Sequence, residues 1–159
     1  MNNQFSYCSI SELSNLIKNK KVSPVELTQY FLNKLESIGP QYNAIAHINK
    51  KSALKQAEIA EKKIINNEYL GSLHGIPYAA KDLLSTNDDS PTSWGAKPFL
   101  NQHYEIESTI ITKLNSAGAI LCAKTSMVEF AGGMGYQQPN ASAFAVSYTH
   151  LTLPTICSV

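Results

Sequence analysis

The sequence has little that would mark a membrane, nucleic-acid or metal protein. Thirteen basic residues against twelve acidic leave a formal charge of +1, so composition gives no support for direct nucleic-acid binding. No stretch approaches the roughly 18 uncharged apolar residues of a membrane-spanning helix. The N-terminus, Met1-Asn2-Asn3-Gln4-Phe5, lacks the basic-then-apolar order of a secretion signal. The three cysteines, Cys8, Cys122 and Cys157, are odd in number and show no metal-ligand spacing. They suggest neither a disulfide framework nor a zinc site. Cys122 lies in an apolar run and reads as a small core residue in a reducing compartment. The expected location is the cytoplasm, with no membrane and no direct nucleic-acid partner. His47, His74, His103 and His150 are scattered, and each reads as structural or solvated. There is no internal repeat and no low-complexity linker.

What remains is an ordinary globular composition, 43% apolar and 16% charged over 159 residues, enough for one domain with a core. Ser9 and Glu12 have the spacing of a capping box and predict a helix from Ile10 to about Asn19, with Ile10, Leu13, Leu16 and Ile17 as its apolar stripe. Ser23-Pro24-Val25-Glu26 predicts a second helix that buries Leu27, Phe31, Leu35 and Ile38 and stops at Gly39-Pro40. A short strand fits 43–48. Ala53, Ala57, Ala60 and Ile64 mark a third, small-sided helix ending at Asn66-Asn67. Ile76 to Ala80 reads as a strand that delivers Lys81, with Pro77 at a strand start or edge. Residues 85–107 carry turn signals and read as loop. Ser108 opens a helix with Ile110, Ile111, Leu114 and Ala117, which Gly118 ends. Ala119 to Ala123 follows as a buried strand, and Ser126 with Glu129 opens a further helix. Strand–helix–strand with apolar strands predicts an α/β fold: a mixed, partly parallel sheet flanked by helices, behind a helical N-terminal lead-in.

The chemistry concentrates at Gly71-Ser72-Leu73-His74-Gly75-Ile76-Pro77-Tyr78-Ala79-Ala80-Lys81-Asp82. A lysine at the end of a buried strand is usually solvated, but in a dry pocket it loses its proton and becomes a base. Asp82 follows it, and in extended geometry the two side chains point to opposite sides. On its own Asp82 reads as a loop cap or solvated acid. Gly132-Gly133-Met134-Gly135 is permissive backbone, as consistent with a plain turn as with a site. Trp94 and Phe99 either line a substrate mouth or anchor the long loop, and the anchor is the preferred reading.

The run His74 to Asp82 resembles the first motif of the amidase signature family. Leu114-Asn115-Ser116-Ala117-Gly118-Ala119-Ile120-Leu121-Cys122-Ala123-Lys124-Thr125-Ser126-Met127-Val128-Glu129-Phe130-Ala131-Gly132-Gly133 resembles its second block, and the likeness covers about residues 8 to 145. It implies a hydrolase of carboxylic amide C–N bonds that uses a Lys–Ser–Ser triad, with Lys81 as the lysine and neither metal nor cofactor. A neutral lysine would take a proton from one serine, which would deprotonate the nucleophilic serine. The loop Gly132, Gly133 and Met134 would lie near the acyl pocket, where backbone amides can face an oxyanion. The family's two serines lie in glycine–serine-rich stretches downstream of everything matched, and neither stretch occurs here.

Residues 1–146 therefore read as the N-terminal portion of an amidase domain, an incomplete amidase-signature fold expected to be inactive alone. Residues 147–159 depart from the family abruptly and read as a non-native tail. The substrate of the full-length enzyme would be a small-molecule amide. An alternative is the A-type component of an aminoacyl-tRNA amidotransferase, which releases ammonia from glutamine for partner subunits. Tyr78, where an aliphatic residue is usual, and Leu83, in place of a frequent asparagine, weaken that alternative. A different class, a non-catalytic interaction domain with an amidase-like fold, requires the tail to be native.

Overall fold

The computed structural model describes residues 4–88 and 90–131. Each predicted element from the first helix to the second motif strand forms; the first two helices start on the expected side-chain caps, while Ser108 stands at the N-cap of its helix without a side-chain cap bond among the described residues. Helix α1, Ile10–Lys18, opens on Ser9, whose hydroxyl accepts from Glu12 N while the Glu12 carboxylate accepts from Ser9 N at 2.7 Å. Helix α2, Pro24–Ile38, opens on Ser23, whose hydroxyl accepts from Val25 N and Glu26 N. Both caps satisfy donors that a helix's first turn otherwise leaves open. Strand β1, Ile45–Ile48, leads into helix α3, Lys50–Ile65, and strand β2, Pro77–Lys81, follows. Helix α4, Thr109–Ser116, and strand β3, Ile120–Thr125, complete the α-helices and strands among the described residues.

The sheet has the order β1-β3-β2, with β3 antiparallel to β1 and parallel to β2. Sequence and structure agree on a mixed, partly parallel sheet with helical cover. The central β3 is buried along Ile120–Lys124, as a strand covered on both faces must be. On one side Leu32 of α2 and Ala53 and Ala57 of α3 pack against Ile120 and Cys122. The small α3 side chains let that helix approach the sheet closely. On the other side Ala80, Leu121 and Ile111 of α4 form a smaller cluster. A third cluster, with Phe5, Leu13, Ile17, Leu27 and Ile76, seats the N-terminal lead-in.

Three details depart from expectation. The buried stripe of α2 is Pro24, Leu27, Thr28 and Leu32. Phe31 and Leu35 are half-buried and Ile38 is exposed, because the helix turns its Leu32 face onto α3 and β3. In α1, Ile10 is exposed while Leu13, Ser14 and Ile17 are buried. The helix expected after Ser126 is, over the described residues, a 3₁₀ turn at Glu129–Ala131. Phe130 there has a φ of 53°, which interrupts helical geometry.

His74 shows how the first motif is seated. It is buried, and its Nδ1 accepts from Leu70 N at 3.1 Å. Burial pushes its imidazole below the usual histidine range, with the Lys63 charge acting in the same direction. Gly118 ends α4 with a φ of +79°, and a Cβ there would stand 2.4 Å from His74 Cδ2. Glycine is required at that contact for both reasons. Gly75 N donates to Gly118 O at 2.8 Å, so the starts of β2 and β3 are fastened together.

Candidate active site around Lys81

The site is built at the C-terminal ends of the two parallel strands, where chemistry is commonly presented from a rigid sheet. In register, Ala80 pairs with Lys124 and Lys81 with Thr125. Side chains alternate along a strand, so Asp82 falls on the Lys124 side and Lys81 on the other. Asp82 N donates to Thr125 O at 3.0 Å and carries the ladder one residue beyond β2. Lys81 is exposed, and its Nζ donates to the backbone carbonyl of Ser126. The lysine amine is thus held at the strand tips, without the desolvation expected for a dry pocket, among the described residues.

Asp82 is not a solvated acid. It is 2% exposed, and its Oδ2 accepts from Ser93 N at 3.2 Å and from the Ser93 hydroxyl. Its Oδ1 lies 3.4 Å from Nζ of Lys124, whose side chain is wholly buried. That ammonium also donates to Thr92 Oγ1 at 2.9 Å and to Pro91 O at 3.4 Å. Burial pushes the Lys124 ammonium below the usual lysine range, and the neighbouring Asp82 carboxylate pulls the other way. Sequence reasoning passed over Lys124. The signal was there: a charged residue inside an otherwise apolar strand needs a buried partner.

The long loop is anchored by aromatic packing, as preferred from sequence. Trp94 stacks near Phe99, Tyr104 and Phe130, with ring centroids 5.9, 5.6 and 6.2 Å away. Trp94 O accepts from Phe130 N at 2.8 Å, tying the loop to the segment after β3. Trp94 has a φ of 53°, Phe130 of 53° and Ala131 of 54°, a cluster of strained backbone beside the strand tips. A cleft of about 410 Å³ opens here, lined by Ile45, His47, Asp82, Ser93, Ser126 and Met127 among others.

The remaining candidates fall elsewhere. Gly132, Gly133 and Met134 lie outside the described residues. His47 borders the cleft, His74 is a packing residue below the motif and His103 is exposed. Cys122 is buried, and desolvation pushes its thiol up to about 12, which makes it inert as a nucleophile. Among the described residues no group of three His, Cys, Asp or Glu side chains could hold a metal ion, and no helix is long and apolar enough to cross a membrane.

The arrangement matches known proteins over most of its length. The Amidase family matches residues 26–146. The glutamyl-tRNA(Gln) amidotransferase A-type component of Coxiella burnetii is 42% identical over 125 residues, which are 79% of this chain and 26% of that protein. A putative amidase, AmiD, of Mycobacterium bovis is 32% identical over 124 residues, covering 78% of this chain and 26% of its own. Among solved structures, an amidase at 28% identity superposes with a TM-score of 0.74 over 86% of this chain and 31% of that one. The peptide amidase of Stenotrophomonas maltophilia, at 23% identity, has a TM-score of 0.76 over 81% of this chain and 26% of its own, and shares the fold. The chain thus spans about a quarter of the length of the curated relatives it matches. By fold, by both motifs and by the match over 26–146, the chain belongs to the Amidase family.

Proposed function

We propose that this chain is the N-terminal segment of a cytoplasmic hydrolase of carboxylic amide C–N bonds, with Lys81 as its catalytic base. The observation that supports this best is Lys81 itself, presented at the C-terminal end of β2 inside a chain of this family and tied to the carbonyl of Ser126. As the base of a Lys–Ser–Ser relay, a neutral Lys81 accepts the proton of one serine, which in turn deprotonates the serine that attacks the amide carbonyl. The relay run backwards protonates the leaving amine. In this reading both serines lie outside the stretch matched here, and the chain alone leaves Lys81 nothing to activate. The remainder of the enzyme also supplies the desolvation that a neutral lysine requires. Gly132, Gly133 and Met134 serve as an oxyanion loop in this reading, which needs no metal or cofactor.

A second reading has a specific observation in its favour. The 42%-identical relative is an amidotransferase component, against 32% for the putative amidase. In that reading the amide is glutamine, and ammonia passes to partner subunits that handle the tRNA. Tyr78 and Leu83 remain departures from the common motif. The hydroxyl of Tyr78 is buried without a hydrogen-bond partner among the described residues, and burial pushes its pKa well up.

Ammonia release from glutamine and from a panel of simple primary amides tests both readings. The chain alone should release none above the blank. The full-length enzyme carrying this segment should release ammonia, with glutamine preferred only in the amidotransferase reading. Activity from the chain alone would contradict the assignment of the serines to the missing part. An inactive but folded full-length protein would favour the interaction-domain reading.

A further inference from the structure

Lys124 and Asp82 lie on the face of the strand tips opposite the Lys81 side chain, and their side chains bond to each other and to Pro91, Thr92 and Ser93. We infer that the buried Lys124–Asp82 pair, with Ser93 and Thr92, is a positioning device that sets the Lys81 amine against the Ser126 carbonyl. This rests on the reading of Lys81 as the base. The pair joins three pieces of chain that meet at the site. Lys124 belongs to β3, two residues before the carbonyl that receives Lys81. Asp82 is the residue after Lys81, so fixing its carboxylate fixes the peptide that launches the lysine. Ser93 and Thr92 belong to the loop, and through them the loop backbone is drawn onto the strand tips.

The contacts are directional on every side. Asp82 Oδ2 takes two bonds from Ser93, Asp82 Oδ1 faces Lys124 Nζ, and Asp82 O accepts from Trp94 N at 3.2 Å. The Ser93 hydroxyl also accepts from Gly95 N at 3.2 Å. Gly95 packs so closely that a Cβ would come within 2.5 Å of Met127 O, next to Ser126. Two apolar side chains of similar volume would fill the same space without desolvating two charges. They would not orient the Asp82 peptide, nor hold Trp94 in its left-handed conformation, which persists only when its surroundings over-determine it. Orientation of the lysine is what the charged pair adds.

Competitive trace acetylation of the chain's amines, read lysine by lysine by mass spectrometry, tests this without requiring activity. Lys51 and Lys55, exposed on α3, serve as internal references. In Ser93→Ala, and in the double variant Lys124→Met with Asp82→Leu, the rate at Lys81 relative to Lys51 should rise about threefold, the scale of one weakened hydrogen bond. Cooperative urea unfolding establishes that each variant is folded. Ser93→Ala uncovers no charge and keeps the test decisive if the double variant unfolds. An unchanged Lys81 ratio in a folded Ser93→Ala chain overturns the inference. In the full-length enzyme the same Ser93→Ala change should lower kcat several-fold with KM held, as a misplaced base does. A raised KM with unchanged kcat would also overturn it. Failure of the reading of Lys81 as the base would show differently, as full activity in Lys81→Ala.

Discussion

One face of the central strand β3 and its C-terminal end are held by opposite means. Toward α2 and α3, Leu32, Ala53, Ala57, Ile120 and Cys122 make an apolar layer with no charged member. Toward the loop that follows β2, the strand's end is fastened by Thr92, Lys124, Asp82 and Ser93, all buried and bonded one to the next in that order. The apolar layer supplies burial and tolerates adjustment. The polar end supplies direction, at the cost of two desolvated charges, and it lies where Lys81 emerges. A scaffold face and a site end can thus be told apart within one strand.

The comparison is broken most severely at the polar end. Lys124→Met leaves Asp82 buried without its cation and should cost about 3–5 kcal/mol of stability, measured by urea unfolding. Replacing both partners by apolar residues should recover most of that loss. Leu32→Ala on the scaffold face should cost about 2–5 kcal/mol through a cavity under α2, while leaving Lys81 labelling unchanged. A change in Lys81 reactivity there would erase the distinction between the face and the end.

His74 sharpens the comparison with pH. Its folded-state pKa lies below the unfolded value, so its stability is fully present above the unfolded value of about 6.5. That stability falls as pH drops through the window below it, where the unfolded chain binds the extra proton. His74→Gln should flatten the slope in urea midpoints taken across that window. Smallest of all should be the surface pair of Lys50 and Glu36, at 2.8 Å with both side chains over two-fifths exposed. Lys50→Ala should change stability by no more than about 1 kcal/mol.

Much of this was legible in the sequence because it is local. Ser9–Glu12, Ser23-Pro24 and the Ala53, Ala57, Ala60, Ile64 stripe each carry their own start signal or period, and each appears where expected. The strand that delivers Lys81 was legible from its apolar run and its flanking Gly75 and Pro77. The facing of α2 was not, because Phe31 and Leu32 are equally apolar and only the partner helix decides between them. The fate of Asp82 was not legible either. Its partners are Ser93, eleven residues on, and Lys124, forty-two residues on, and no local pattern links them. Lys124 was hidden inside a run that reads as buried strand, where its charge was the clue. Gly132, Gly133 and Met134 lie outside the described residues, and their part rests on the family resemblance.

Whether Lys81 is the base of an amide hydrolase is tested most directly by removing its amine. Ammonia release by the full-length enzyme carrying this segment should be compared between the parent and Lys81→Ala, each verified as folded by cooperative unfolding. With Lys81 as the base, amide cleavage falls to the blank in Lys81→Ala while the fold is kept. Retained cleavage in a folded Lys81→Ala enzyme would remove Lys81 from the mechanism and contradict its assignment as the base.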